Sequence, residues 1–554
     1  MHGYQIKVNK GIFRKIMGLC FVISITLFAQ TERWVYKYNG SGNADDIAVS
    51  ITCGDDGNIY AAGQSRGNGS GFDFTIVSLL PDGTERWVYT YNGPGNADDI
   101  AKQIVYGLDG NIYACGHSVG ATGSDDFIVI SLTQSGAERW AYRYNGTGNG
   151  SDEASSIDFG LDGNVYAAGY CYSASSYQDF MVTSLDTAGS ERWTYIYNAG
   201  QYPGTDFARS IVCGSDTNIY AAGQIYNWVT LEDFAMVSLR PDSTVRWVGL
   251  FDGNTITPPD YANAIAYGLD DEPYAAGLVA SGNGKPRFTI LNRLNDGNYD
   301  WVYSYQGSAV LRDEAYVITY GADHNVYTAG YTTNTGTARD FTIISLTNDR
   351  VFNWIYLFNG TGNNNDEALD VEYGLDGYIY GCGICLDVIG QENLLVVRLD
   401  TSGTANWTYK YQGNGGAADR ANSLVFGSDY NLYVAGYASD SISSFDFVVI
   451  SLDTIETGIE DGFIQYQQTY NCWSASAFFR NQIALRNPNV TDRELKVAIY
   501  NIQGQKFYEH RQKHNSPQIL IGGKSIETLP SGIYFIHIVT EGYSGGRIIK
   551  VIKF

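Results

Sequence analysis

The sequence predicts an all-β chain: an eight-bladed β-propeller of four-stranded blades with N-terminal strand closure, followed by a small β-sandwich. Three observations carry this. Eight of the ten tryptophans, Trp34, Trp87, Trp140, Trp193, Trp247, Trp301, Trp354 and Trp407, fall on one register at intervals of 53 or 54 residues. Each interval repeats an Asp-x-Ala, a Gly-x-Asp and a Tyr-x-(Ala/Cys)-Gly, as in Asp99-Ile-Ala101, Gly107-Leu-Asp109 and Tyr113-Ala-Cys115-Gly116. The composition agrees, since 64 Gly and 44 Tyr with only 17% charged residues describe a turn-rich chain of half-buried strands.

Residues 1–30 read as a secretory signal. Lys7, Lys10, Arg14 and Lys15 precede the apolar run Ile16 to Ala29, and polar sequence begins at Gln30 or Thr31. The run is short for a membrane span and no second candidate follows, so cleavage near residue 30 is expected, with no span remaining.

Residues 31–458 form the repeat array. In its second copy four strands are expected at about Ile100 to Tyr106, Asn111 to His117, Asp126 to Leu132 and Glu138 to Tyr144. Trp140, Tyr142 and Tyr144 alternate onto one face. Gly107 to Gly110 and Thr133 to Gly136 supply tight hairpins, and the other two connections are longer. The array opens with an isolated fourth strand, Glu32 to Tyr38, and ends with a third strand, Phe445 to Leu452. The first strand therefore completes the last blade and leaves no unpaired end to the ring.

Charge and cysteine usage narrow the function classes. Residues 31–458 carry 20 basic against 52 acidic side chains, a field that repels phosphate backbones and anionic lipid, so nucleic-acid binding is not expected. Seven cysteines remain after cleavage, an odd number spread over more than 400 residues, which is no disulfide framework. Cys382 and Cys385 form a CxxC within a strand, where positions three apart face opposite sides, so both are expected as buried small residues.

The core Gly-Leu-Asp-Gly-Asn-Ile-Tyr-Ala-Cys-Gly (107–116), preceded by Asp-Asp-Ile-Ala and followed by Asp-Phe-Ile-Val-Ile-Ser-Leu, resembles the bacterial SBBP-type β-propeller repeat over residues 31–458. That resemblance implies architecture, not activity. Residues 459–493 are a linker or the start of a second module, and 494–554 read as short strands between Gly turns. Their Ile-Tyr-Asn-Ile-Gln-Gly and Leu-Pro-Ser-Gly-Ile-Tyr-Phe elements, with a basic strand at the C-terminus, resemble type IX secretion system sorting domains. The resemblance implies the type IX machinery as a partner and a cell-surface or secreted product. The customary Tyr-Pro-Asn-Pro segment is missing, and Arg486-Asn-Pro-Asn489 stands nearest to it.

Two octets of aspartates recur. Asp46, Asp99, Asp152, Asp206, Asp260, Asp313, Asp366 and Asp419 each precede the strand that lines the channel. Eight carboxylates around one mouth suit a calcium ion, whereas at a turn each accepts backbone N–H groups; repetition in every blade favours the second. Asp56, Asp109, Asp162, Asp216, Asp270, Asp323, Asp376 and Asp429 sit inside hairpin turns. Only His117 and His324 occur in the array, at different registers, so neither a histidine metal site nor a Ser-His-Asp arrangement is expected. There is no CxxCH motif, no vicinal Cys pair and no phosphate-binding Gly loop leading into a helix.

These readings give a monomeric, non-enzymatic binding or scaffold protein that recognises an extracellular glycan or protein through propeller loops, with no cofactor. The alternative is an extracellular carbohydrate-active enzyme, a hydrolase or lyase using two propeller carboxylates. The expected binding residues are Tyr202, Tyr226 and Trp228, in loops around one blade that depart from the repeat.

Overall fold

The structure, a computed structural model, describes residues 32–454 except 176, 198–203, 228, 254–259, 281, 283 and 441–444. Beyond these it describes the strands of a C-terminal module. The signal expected over residues 1–30 lies outside the described residues. Among the described residues all regular structure is strand, and no helix is long and apolar enough to cross a membrane. The chain divides into two units, Met1–Gly458 and Ile459–Phe554.

The first unit holds eight antiparallel four-stranded sheets. Blades 1 to 8 begin with the first strands Ile47–Cys53, Asp99–Tyr106, Glu153–Phe159, Phe207–Cys213, Tyr261–Tyr267, Glu314–Tyr320, Glu367–Tyr373 and Arg420–Phe426. Blade 2 contains Asp99–Tyr106, Ile112–Val119, Asp125–Leu132 and Glu138–Tyr144, within two residues of the expected bounds. Successive first strands pack against one another around the ring, blade 8 against blade 1 included, and so form its inner wall. Glu32–Tyr38 pairs antiparallel with Phe445–Asp453, Trp34 opposite Ser451 and Tyr38 opposite Phe447, which makes it the fourth strand of blade 8 as expected.

The repeated residues explain the geometry. Each first strand carries a bulge just after the Asp-x-Ala, between Ala48 and Ser50 in blade 1. The Gly of Tyr-x-(Ala/Cys)-Gly lies against it, and a Cβ on Gly63 would stand 1.9 Å from the Ile47 carbonyl oxygen. The Tyr of the same motif is buried, tilts against the Trp of its own blade (Tyr113 to Trp140, 5.9 Å) and donates to the hairpin Asp (Tyr113 to Asp109, 2.7 Å). In seven of the eight copies the Trp indole then donates to a carbonyl in the next blade's last hairpin, Trp87 to Gln134 at 3.0 Å and Trp140 to Thr187 at 3.0 Å, Trp407 being the exception. One register thus welds hairpin, blade face and neighbouring blade.

The core is a set of apolar seams between blades rather than one central core. Tyr60, Phe74 and Ile76 of blade 1 meet Ile104, Ile128 and Ile130 of blade 2. The closing seam joins Ala48, Ile51 and Val77 of blade 1 to Tyr433, Phe447 and Val449 of blade 8, with Trp34, Tyr36 and Tyr38 packed against it. Cys382 and Cys385 are buried in different seams, on opposite faces of their strand.

In the second unit the described strands form a three-stranded sheet (Ser474–Ala475, Gln482–Arg486, Gln518–Gly522) and a five-stranded sheet. The latter is built on Glu494–Asn501, Lys506–Lys513, Gly532–Thr540 and Gly546–Lys553, with Phe478–Phe479 at its edge.

Candidate functional site

The Asp octet that precedes the first strands is buried, and its carboxylates are already occupied. In blade 1 Asp46 accepts the Gly40 N–H on one oxygen and the Arg66 N–H on the other, each at 2.7 Å. Asp99, Asp152, Asp260, Asp313, Asp366 and Asp419 make the same pair of bonds, from a Gly just upstream and a residue twenty positions on. Asp206 accepts the Tyr226 N–H at 2.5 Å. The backbone N–H of these aspartates donates to the preceding blade, Asp152 to the Asp125 carbonyl and Asp260 to the Glu232 carbonyl, both at 2.9 Å. Each Asp therefore staples the loop into its first strand, the end of its second strand and the neighbouring blade. Burial pushes the Asp46, Asp152, Asp260, Asp313 and Asp366 carboxyls up to about 6, against the pull of the N–H donors. Among the described residues no group of three or more His, Cys, Asp or Glu side chains is arranged to hold a metal ion.

The hairpin octet lies at the opposite ends of the blades. Asp109 accepts the Asn111 N–H at 3.1 Å and the Tyr113 hydroxyl at 2.7 Å, and Asp56, Asp162, Asp216, Asp323 and Asp429 make the same two contacts. His324 sits in one of these turns at φ +64.

Of the expected binding residues, Tyr202 and Trp228 lie outside the described residues. Tyr226 is the penultimate residue of the second strand of blade 4, Ile219–Asn227, and is half-buried; a Cβ on Gly204 would fall 2.3 Å from its ring. The Asp206–Tyr226 and Asp260–Glu232 bonds tie together the described ends of the loops that depart from the repeat.

What the sequence reading missed lies between those loops, at the channel mouth. The residues one and three positions past each repeat Asp share a strand face, and the third-position side chain of one blade reaches the first-position region of the next. Lys102 stands 3.3 Å from Glu153. The Arg209 guanidinium lies over the Tyr261 ring at 4.6 Å. Asn263 donates to Glu314 at 3.0 Å and to the Ala315 carbonyl at 2.8 Å, Tyr316 donates to Glu367 at 3.2 Å, and Asn422 donates to the Ala48 carbonyl at 2.7 Å.

A second circle of side chains supports the first. His117 Nδ1 meets Glu153 at 3.0 Å, Arg312 donates twice to Glu314 at 2.9 and 3.1 Å, and Arg339 donates to Glu367 at 2.5 Å while covering the Tyr331 ring at 4.2 Å. Tyr170 meets Phe207 edge to face at 4.7 Å. Arg420 stands opposite Tyr437 in the strand pair of blade 8. The signal available in the sequence was the variable column beside an invariant Asp: Ile, Ile, Glu, Phe, Tyr, Glu, Glu and Arg follow it in blades 1 to 8. Chemically, the mouth offers aromatic faces, amides and charged groups in one concave ring, suited to holding a polar ligand.

Residues 480–552 match the family model of the secretion system C-terminal sorting domain, a match that starts ahead of Glu494. The chain thus bears a type IX sorting tail and is exported to the cell surface or secreted. No curated protein matches the sequence. Among solved structures, a protein of unknown function from Bacteroides caccae is similar at TM-score 0.31 and 11% identity, covering 56% of this chain and 93% of that one. A fungal alcohol oxidase of the AA5 family, in complex with copper, is similar at TM-score 0.40 and 11% identity over 95% and 100% of the two chains. PorZ, a surface component of the type IX secretion system of Porphyromonas gingivalis, is similar at TM-score 0.23 and 10% identity over 92% and 81%. None of the three reaches a TM-score of 0.5, and none carries an argument about this chain.

Proposed function

We propose that this exported propeller is a non-enzymatic binding protein that captures an extracellular ligand at the channel mouth, on the face that carries the loops into the first strands. One observation carries the reading. The positions that build the ring hold in nearly every blade, while the mouth positions beside them change from Ile47 and Ile100 to Glu153, Phe207, Tyr261, Glu314, Glu367 and Arg420. A purely structural ring gains nothing from that diversity, whereas a recognition surface on a rigid scaffold requires it.

Three carboxylates, Glu153, Glu314 and Glu367, stand in the same mouth, so a glycan-cleaving enzyme is the second reading. A glycan and protein array probed with the purified chain, followed by a turnover assay on each hit, separates the two. Saturable binding without turnover, weakened by Tyr261→Ala, supports the binding protein. Turnover abolished by a single Glu→Gln change at the mouth supports the enzyme. Weakening by Tyr202→Ala with Trp228→Ala, and not by Tyr261→Ala, would shift the site to the outer loops.

A further inference from the structure

We propose that the ligand is an acidic saccharide, a glycan containing uronic acid whose carboxylate is received by Arg209. The inference rests on the reading of the mouth as a binding site and names what that site takes. Around the ring most mouth charges are matched within the protein: Lys102 by Glu153, Arg312 by Glu314 and Arg339 by Glu367. Arg209 is not matched. Among the described residues no carboxylate lies within ion-pair distance of it and its Nε has no acceptor; its Nη2 donates to Gln224 Oε1 at 2.8 Å, and its planar face covers Tyr261.

Burial pulls the guanidinium pKa down against the pull of the nearby Glu314 and Glu153 charges, yet an arginine stays charged, so a cation is held in the wall with no direct ion pair among the described residues. The two nearest acids are committed elsewhere. Glu314 accepts from Arg312, Tyr261, Asn263 and Tyr331, and Glu153 from Lys102 and His117. An arginine left in this way between two occupied carboxylates is placed to receive an anion from outside on its terminal Nη groups, Nε being itself buried.

The surroundings select the class of anion. Glu153 and Glu314 beside Arg209, and the acidic body around the ring, disfavour a phosphate dianion or a polymer of high charge density. A peptide adding as a strand would need free backbone N–H groups on the inner edge of the blades, and in five of the eight blades one of these is taken by a side chain of the preceding blade. Ser50 takes the Ile104 N–H, Gln103 the Ile157 N–H, Ser156 the Ile211 N–H, Ser210 the Ile265 N–H and Asp370 the Leu424 N–H. What the mouth does offer next to Arg209 is the aromatic group Phe207, Tyr170 and Tyr261 with the amides of Gln224 and Asn263, which suits the apolar faces and hydroxyls of sugar rings.

The test is titration calorimetry of the full chain with a xylo-oligosaccharide bearing a single glucuronic acid, its methyl ester and a peptide of matching length bearing a single glutamate. The acidic oligosaccharide is expected to bind and the ester to bind about ten-fold more weakly or worse, the loss expected for one charge-assisted contact. Arg209→Gln is expected to lose the acid by a similar factor and Arg209→Lys to recover part of it, with both variants melting like the parent. The ester comparison needs no variant, so it decides the matter even if Arg209→Gln does not fold. Equal binding of acid and ester, undiminished binding by folded Arg209→Gln, or tighter binding of the peptide each overturns the inference. If none of the three probes binds, the inference also fails. A neutral glycan or a protein captured on the array then leaves the binding reading standing, and an empty array removes both.

Discussion

The Tyr409 hydroxyl of blade 7 donates to the Glu32 carboxylate, so the first described residue of the chain is bonded to the ring 377 positions away. Next to it, Arg33 reaches both Ser451 of blade 8 and the Pro81 carbonyl of blade 1, and the Trp34 indole donates to that same carbonyl at 3.0 Å. The entering strand thus fills one blade and touches the two beside it. Deleting Glu32 to Tyr38 should expose the apolar edge of Phe445–Asp453 and lower the melting temperature of the entire propeller in one transition. Melting unchanged from the parent would rule out this closure.

Glycines test the bulge against the turn. Gly169 lies where a Cβ would come within 1.8 Å of the Glu153 carbonyl oxygen, whereas Gly163 has φ +79 with nothing within 4 Å. Gly163→Ala should cost about 1 kcal/mol, the conformational penalty alone. Gly169→Ala should cost several times more, because backbone must move. Denaturant melts showing the reverse order would mean that the bulged strand pair is not as described.

The ring was legible because its determinants are periodic: a Trp that bonds the next hairpin in all copies but that of Trp407, a Tyr beneath it and a Gly at the bulge leave the same mark in the sequence of every copy. The closing strand was legible for the same reason, since Glu32–Tyr38 repeats the fourth-strand pattern of Glu85–Tyr91. The mouth was not. Asn263 and Glu314 meet across 51 positions and Arg209 and Tyr261 across blades, so nothing local in the sequence joins them. Loops that changed in length, with Tyr202 and Trp228, drew the sequence reading outward, while side chains that changed at constant register went unremarked. The Asp octet was visible from its repetition, but the pair of backbone N–H groups that occupies seven of its members depends on strand ends twenty residues apart.

Export should separate from folding. A chain truncated after Thr491 lacks most of the matched residues 480–552, yet every blade seam lies before residue 455. In a host with type IX machinery it should fold, melt like the parent propeller and fail to reach the surface. Surface delivery of that truncation at parental levels would show that the sorting signal lies elsewhere.

Glu372 links the inner wall to pH. It accepts the Phe426 N–H at 2.6 Å, and burial, reinforced by Asp370, pushes its carboxyl up to about 8 despite that donor. A carboxyl whose folded value stands above its unfolded one contributes stability that is full below about pH 4 and is lost as pH rises through the folded value. The melting temperature should therefore fall as pH rises from about 4.5 to about 8 and level off above it, and Glu372→Gln, neutral throughout and still able to accept the N–H, should flatten that fall. Identical slopes for the two proteins would mean that Glu372 is already charged at neutral pH.

The Asp octet offers the sharpest separation of structural from cation chemistry. Asp366 takes the Gly360 N–H at 2.5 Å on one oxygen and the Leu386 N–H at 2.7 Å on the other, which leaves neither oxygen facing the channel unbonded. Asp366→Asn replaces one acceptor by a donor that points at an N–H, so a buried group loses its partner at a cost of about 1–3 kcal/mol. That loss should be the same with excess calcium or with chelator, and the parent should melt at one temperature under both conditions, because an ion would have to displace backbone donors blade by blade. A calcium-dependent rise in the parent that Asp366→Asn abolishes would instead make the octet a cation ring.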